Sequence, residues 1–176
     1  MTIPIETKRL QIVTFSEHHL TKRYVSWLND PEVVKYSEQR HRHHTLESCR
    51  EYYESFKCSE NLFLAIELKD NARHIGNMNV YMDSPNGLAD IGIMLGDRSE
   101  WGKGYASEAW NAVLNYLLED LNIRKVTAGT MACNKAMLKV MERSGMTPDG
   151  IRKRQMLVDD GKTVNLIFYA IFNHKK

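Results

Sequence analysis

The most constraining feature of the sequence is a junction. Ile91-Gly92-Ile93-Met94-Leu95 reads as a strand, and the loop from Gly96 to Gly104 delivers it into a long periodic stretch. Tyr105, Ala109, Trp110, Val113, Leu114, Leu117, Leu118 and Leu121 recur near 3.6 residues and predict one helix over Gly102 to Leu121. Such a loop can turn several backbone N–H groups toward one point, where the helix dipole also favours negative charge. Gly102 and Gly104 carry no Cβ to block an anion, and Arg98 and Lys103 add positive charge. A pyrophosphate suits this arrangement. A plain strand-to-helix turn, with glycines only for positive φ, would carry the same letters.

Two known phosphate loops do not fit. A P-loop needs four residues between its first Gly and Gly-Lys, then Ser or Thr. Here five residues separate Gly96 from Gly102, and Gly104 follows Lys103. A dinucleotide fingerprint needs a third Gly where this chain has Ser107, and a doubly wound sheet for which the remaining chain is short.

Around the junction the pattern predicts an α+β domain. Arg9 to Phe15 alternates like a first strand, and Leu20, Tyr24, Trp27 and Leu28 form a helical stripe broken at Asn29-Asp30-Pro31. Thr45-Leu46-Glu47-Ser48 starts a second helix with Cys49, Tyr52, Tyr53 and Phe56 inward. Leu62–Leu68, Ile75–Met82 and Leu88–Leu95 read as consecutive strands joined by short turns, an antiparallel meander. Ile123–Thr130, a helix over Ala136–Arg143, and strands at Met156–Val158 and Val164–Phe172 complete the chain, the last two joined at Asp159-Asp160-Gly161. Only the segment Leu88 to Arg143 offers a parallel pairing.

Composition narrows the function. A formal charge of +2 is too balanced for a nucleic-acid footprint over the whole surface. No apolar run nears the ~18 residues that span a bilayer, and Met1 to Glu6 lacks the basic and apolar regions of a signal peptide. Cys49, Cys58 and Cys133 are odd in number and far apart, which argues against a disulfide framework or zinc knuckle. The expectation is one cytoplasmic domain over residues 1–176, without nucleic-acid or membrane partners, a monomer or homodimer.

With these segments in place, the chain resembles the GNAT superfamily of acetyl-CoA-dependent acyltransferases, and within it the branch with the ribosomal-protein N-terminal acetyltransferases. Glu6-Thr7-Lys8-Arg9-Leu10 looks like that branch's opening strand. Ala89-Asp90-Ile91-Gly92 and Trp101 to Ala109 look like its cofactor strand and pyrophosphate loop. Asn134 to Met146 resembles its next helix, and Asp160-Gly161 with Tyr169-Ala170 its closing hairpin. The resemblance implies a mixed, mostly antiparallel sheet with a splayed parallel pair, flanked by helices, and acetyl-CoA as co-substrate. It implies that backbone groups of Met94 and Leu95 pair with the pantetheine arm, and that N–H groups from Trp101 to Tyr105 hold the pyrophosphate. Asn134 would contact pantetheine or phosphate, and Lys139 a CoA phosphate. Met137 and Met141 stand where relatives carry hydroxyls, so no general acid is evident.

The implied reaction is direct attack of an amine on the thioester. A lysine amine near ~10.4 is about 0.04% neutral at pH 7, against about 10% for an α-amine near ~8, so an acceptor of lowered pKa is favoured. Asp90, on the cofactor strand, is the candidate base; a structural carboxylate is the alternative. Cys133 reads as a buried thiol rather than a nucleophile. In Arg40-His41-Arg42-His43-His44 the histidines lack companion ligands at metal spacing, so no metal is expected. That segment borders the acceptor cleft in the family, and Trp27 to Arg40 resembles members that acetylate amino sugars. Arg40, Arg42 and His43 are the candidate acceptor-binding residues. The leading reading is a small-molecule amine acetyltransferase, with an amino sugar as leading acceptor. The alternatives are a protein N-terminal acetyltransferase and a non-catalytic acyl-CoA-binding domain.

Overall fold

The computed structural model describes residues 3–158 and 161–173, so Asp159 and Asp160 of the expected hairpin turn lie outside the described residues. Eight strands form one sheet in the order β1-β2-β3-β4-β5-β6-β8-β7. They are β1 (Ile5–Glu6), β2 (Leu10–Thr14), β3 (Leu62–Leu68), β4 (His74–Asp83), β5 (Leu88–Leu95), β6 (Lys125–Met131), β7 (Thr147–Leu157) and β8 (Thr163–Phe172). Every pair is antiparallel except β5 with β6. The predicted α+β class and its parallel pair are present. Among the described residues no helix is long and apolar enough to cross a membrane.

The helices divide between the two faces. Helices α4 (Tyr105–Asn115) and α5 (Lys135–Arg143) cover one face, burying Trp110, Val113, Leu114 and Met141 against Leu64, Ile66, Met78 and Val126. Helices α1 (Lys22–Leu28), α2 (Pro31–Val34) and α3 (Leu46–Lys57) lie toward the other, where Phe15, Tyr24, Trp27, Phe56 and Phe63 form an aromatic cluster. The cap expected at Thr45 is made: its hydroxyl accepts the Ser48 N–H, and the Ser48 hydroxyl accepts the Thr45 N–H.

Three segments depart from expectation. Glu6 to Leu10 is not a strand: β1 ends at Glu6 and β2 begins at Leu10, because the Thr7 hydroxyl accepts the N–H groups of Leu10 and Arg9 and fixes a turn. The long helix begins only at Tyr105, since Gly102 and Gly104 take φ of +75° and +84°, and its last turn, Tyr116–Asp120, widens to a π-helix. Strand β7 has eleven residues where only Met156–Val158 was expected. It is a sheet edge, solvent-exposed over most of its length, so its polar letters carry no alternation to read.

Candidate functional site: a splayed strand pair and its glycine loop

Strands β5 and β6 are in register for three rungs, Leu88 with Lys125, Ala89 with Val126 and Asp90 with Thr127. Beyond Asp90 they part, while β5 continues against β4 as far as Leu95 and β6 against β8 as far as Met131. The facing edges from Ile91 onward therefore have no ladder partner. Backbone groups left so inside a fold require a ligand or water. A continuous cleft of about 1210 Å³ runs through the gap, with Trp101, Gly102, Asn134 and Met137 at one end and residues of α1 to α3 at the other.

The loop at the first end is built as a cradle. Its helix ladder begins with the Glu108 N–H on the Gly104 carbonyl, so the N–H groups of Tyr105, Ala106 and Ser107 have no partner within the helix. Nothing approaches within 4 Å of where a Cβ on Gly102 would sit. A second pocket of about 270 Å³, lined by Gly104, Tyr105, Lys139 and Arg143, shares Leu95 and Gly102 with the main cleft. The donor set and the open space fit a pyrophosphate with its neighbouring phosphate.

Two ionic staples hold this cradle, and sequence reading missed both. Glu100, 4% exposed, takes Lys103 Nζ at 2.9 Å on one oxygen and the Arg73 guanidinium on the other. Arg73 also reaches Asp97 at 2.5 Å. Lys103 and then Arg73 hold the Glu100 carboxyl below the usual carboxylate range. On the far side Arg9 Nε donates to Glu108 at 2.7 Å, its Nη1 to the Lys103 carbonyl at 2.9 Å, and its guanidinium lies 4.3 Å from the Tyr105 ring centre. Burial pushes the Glu108 carboxyl up, but Thr7 and Arg9 outweigh it and the net shift is downward.

The expected site residues sort by these contacts. Met94, Leu95, Trp101, Gly102 and Asn134 line the cleft. The Leu95 carbonyl already accepts the Trp101 indole N–H at 2.8 Å, and Asn134 caps α5 by accepting the Met137 N–H at 3.2 Å. Lys103 is committed to Glu100 rather than free for a phosphate. Arg98 pairs with Asp30 at 3.3 Å beside the Trp101 ring and does not line the cleft. Arg42 and His43 line the far end of the cleft, toward α1 to α3. Arg40 does not: it donates to the carbonyls of Ser37 at 2.9 Å and Leu157 at 3.1 Å, tying its loop to β7. Asp90 also lies outside the cleft lining, its carboxylate accepting the Thr127 hydroxyl at 2.6 Å on the last paired rung. Lost hydration raises the Asp90 pKa, and the Thr127 bond opposes that rise. Cys133 is exposed, not buried, because it falls in the turn after β6.

The fold as a whole has counterparts in known proteins. The family model described as the acetyltransferase (GNAT) domain matches residues 9–147. The chain belongs to this GNAT family. A probable N-acetyltransferase of Bacillus subtilis (strain 168), YjcK, is 28% identical over 111 residues, covering 62% of this GNAT chain. The match spans 61% of that relative's own length. Among solved structures, a ribosomal L7/L12 α-N-protein acetyltransferase in complex with coenzyme A superposes with a TM-score of 0.85 at 18% identity, covering 99% of each chain. A Vibrio cholerae spermidine N-acetyltransferase, in complex with CoA and spermine, superposes with a TM-score of 0.85 at 17% identity, covering 96% of this chain and 98% of that one. At such identities these two structures establish the shared fold.

Proposed function

We propose that this protein transfers an acetyl group from acetyl-CoA to the primary amine of a small molecule, with an amino sugar as the leading class. The observation that carries the reading is the gap between β5 and β6, which joins the anion cradle at one end to an open cleft at the other. Pantetheine laid along the unpaired edge of β5 would bring the thioester into the gap, with the phosphates against the N–H groups ahead of α4. The amine nitrogen then attacks the acetyl carbon directly. A C–N bond forms, the C–S bond breaks, the amine loses one proton to water, and the CoA thiolate gains one from water. Holding both reactants in the gap supplies the proximity that such a step needs.

Of the cleft lining, which carries Glu32, Glu38 and Glu51 as well as Lys35 and Arg42, Arg42 and His43 are the groups that would meet a negatively charged acceptor such as a sugar phosphate. Glu32, Glu38 and Glu51 line the cleft with His43 and His44, and among the described residues none of these carboxylates bonds to either histidine, which supports an acceptor partly neutral near pH 7. A thiol-release assay with acetyl-CoA against glucosamine, glucosamine 6-phosphate, spermidine and a peptide with a free α-amine tests the reading. Turnover should be fastest with the amino sugars. Acetylation of the peptide alone would make the protein an N-terminal acetyltransferase, and acetyl-CoA binding without turnover on any amine would make it a binding domain.

A further inference from the structure

Two asparagines of β4, Asn77 and Asn79, line the cleft. Asn77 and Asn79 are two residues apart on β4, so their side chains share one face. They stand opposite Met94 and Gly92 of β5 and opposite Ala65 and Phe63 of β3. Both therefore sit beside the stretch of β5 whose other edge is open, on the face of the aromatic cluster formed by Phe63, Tyr24 and Trp27. Asn77 is 5% exposed, yet its Oδ1 has no hydrogen-bond partner. Its Nδ2 makes one long bond to the Leu64 carbonyl at 3.4 Å, and the His74 ring lies close without reaching bonding geometry. A buried amide oxygen left unpaired costs on the order of 1–3 kcal/mol. Such a cost persists where a ligand repays it.

Asn79 adds a second, independent sign. A Cβ on Gly92 would lie 2.8 Å from Asn79 Oδ1, so this amide lies over Gly92 at the start of the splay. Gly92 has an ordinary backbone conformation. Its missing side chain makes room for the amide rather than for an unusual φ.

We propose that Asn77 and Asn79 form the seat of the acceptor amine, their two Oδ1 atoms accepting its N–H hydrogens beside the open edge of β5. This rests on the acetyl-transfer reading above. With both hydrogens held, the nitrogen lone pair is left to face the acetyl carbon. Amide oxygens accept hydrogen bonds but take up no proton in the working range. A seat of this kind orients the amine and leaves its deprotonation to water.

Three variants test the seat: Asn77→Leu, Asn79→Ala and Gly92→Ala. With glucosamine as the amine, each should raise KM at least tenfold while the acetyl-CoA Kd, measured by calorimetry, stays within twofold. Gly92→Ala should act only by displacing Asn79, so the double variant with Asn79→Ala should be no worse than either single change. Asn77→Leu removes an orphaned amide and should leave Tm unchanged or higher, whereas a merely structural Asn77 would lower Tm without moving KM. A second measurement does not require turnover. In CoA-saturated protein with ¹⁵N-labelled asparagine, glucosamine should shift the Asn77 and Asn79 side-chain amide signals. Unchanged KM in all three variants, additive effects in the double variant, or silent amide signals with glucosamine, spermidine and a free α-amine peptide would each overturn the seat. Loss of acetyl-CoA binding by the parent protein would instead overturn the reading beneath it.

Discussion

The two ends of the cleft are built on opposite plans. At the anion cradle, the groups proposed to face the ligand are backbone N–H, and the side chains around them hold the loop: Glu100 with Arg73 and Lys103, Arg9 with Glu108. At the acceptor end, the facing groups are side chains, carried on short helices and the connection between α2 and α3. A cradle made of main chain binds whatever has the shape and charge of a pyrophosphate. An end made of side chains can change its guest by substitution without disturbing the rest. Conserving the first and varying the second is a way to keep one donor while changing acceptors.

Breaking the cradle should give the largest effect. Glu100→Ala removes the ion partner of half-exposed Lys103 and one of the two partners of Arg73, which keeps Asp97, so stability should fall by roughly 1–2 kcal/mol. Acetyl-CoA affinity should drop tenfold or more by calorimetry, with the amine KM much less affected. Equal losses at both ends would erase the distinction.

Acid should act next, and on the acceptor side. Burial, with His19 adding to it, lowers His74 to about 3, and its ring packs 4.9 Å from that of Trp27 beneath α1. Burial also lowers His19, whose Nδ1 accepts the Ser16 N–H at 2.9 Å while Nε2 meets Glu67 at 3.0 Å. The unfolded chain has ordinary histidines near ~6.5 and binds more protons below that pH, so this stability is whole above about 6.5 and drains as pH falls toward 3. Between pH 7 and 5 His74 alone should cost about 2 kcal/mol. Chemical denaturation across that range should show it, His74→Gln should flatten the slope, and hydrogen exchange should quicken in α1 before α4.

A smaller effect sharpens the comparison. Replacing Arg42 and His43 together by Ala should raise the KM of glucosamine 6-phosphate about fivefold, near ~1 kcal/mol, with acetyl-CoA unaffected. The difference should shrink in high salt, because both side chains are exposed. Smallest of all is Asp90→Asn. With its carboxylate on Thr127 outside the cleft lining, turnover should stay within about threefold in a steady-state assay, whereas a true base would lose at least a hundredfold.

The same contrast explains what could be read beforehand. Gly102 and Gly104 are legible because positive φ and close anion approach limit what residue can stand there. The β5–β6 pairing is legible because Leu88 to Arg143 alone strings strand, helix, strand and helix together. Arg40 was not: a basic letter does not say whether its guanidinium faces a ligand or, as here, the Leu157 carbonyl. For Asp90, in the same way, the letter does not say that the Thr127 hydroxyl lies opposite it across the sheet. Asn77 and Asn79 are not legible either, because a polar residue within a strand normally faces solvent, and only the fold shows that α1 and α3 cover that face. Glu100 and Arg73 are distant in sequence, and no local pattern joins them.

Strand β7 has a consequence for how the protein behaves in company. An eleven-residue edge is long enough to template a strand from a second molecule. Its register against β8 shifts twice, between Pro148 and Gly150 and between Arg152 and Met156. Pro148 has no N–H to offer, and Arg154 turns to a φ of +51°. Arg152, Lys153 and Arg154 place three positive charges in the middle of the edge. An incoming strand would find only short, misaligned runs of free hydrogen-bonding groups and a local repulsion against its own copy. The border of the sheet is thereby guarded against fibril-like stacking at high concentration.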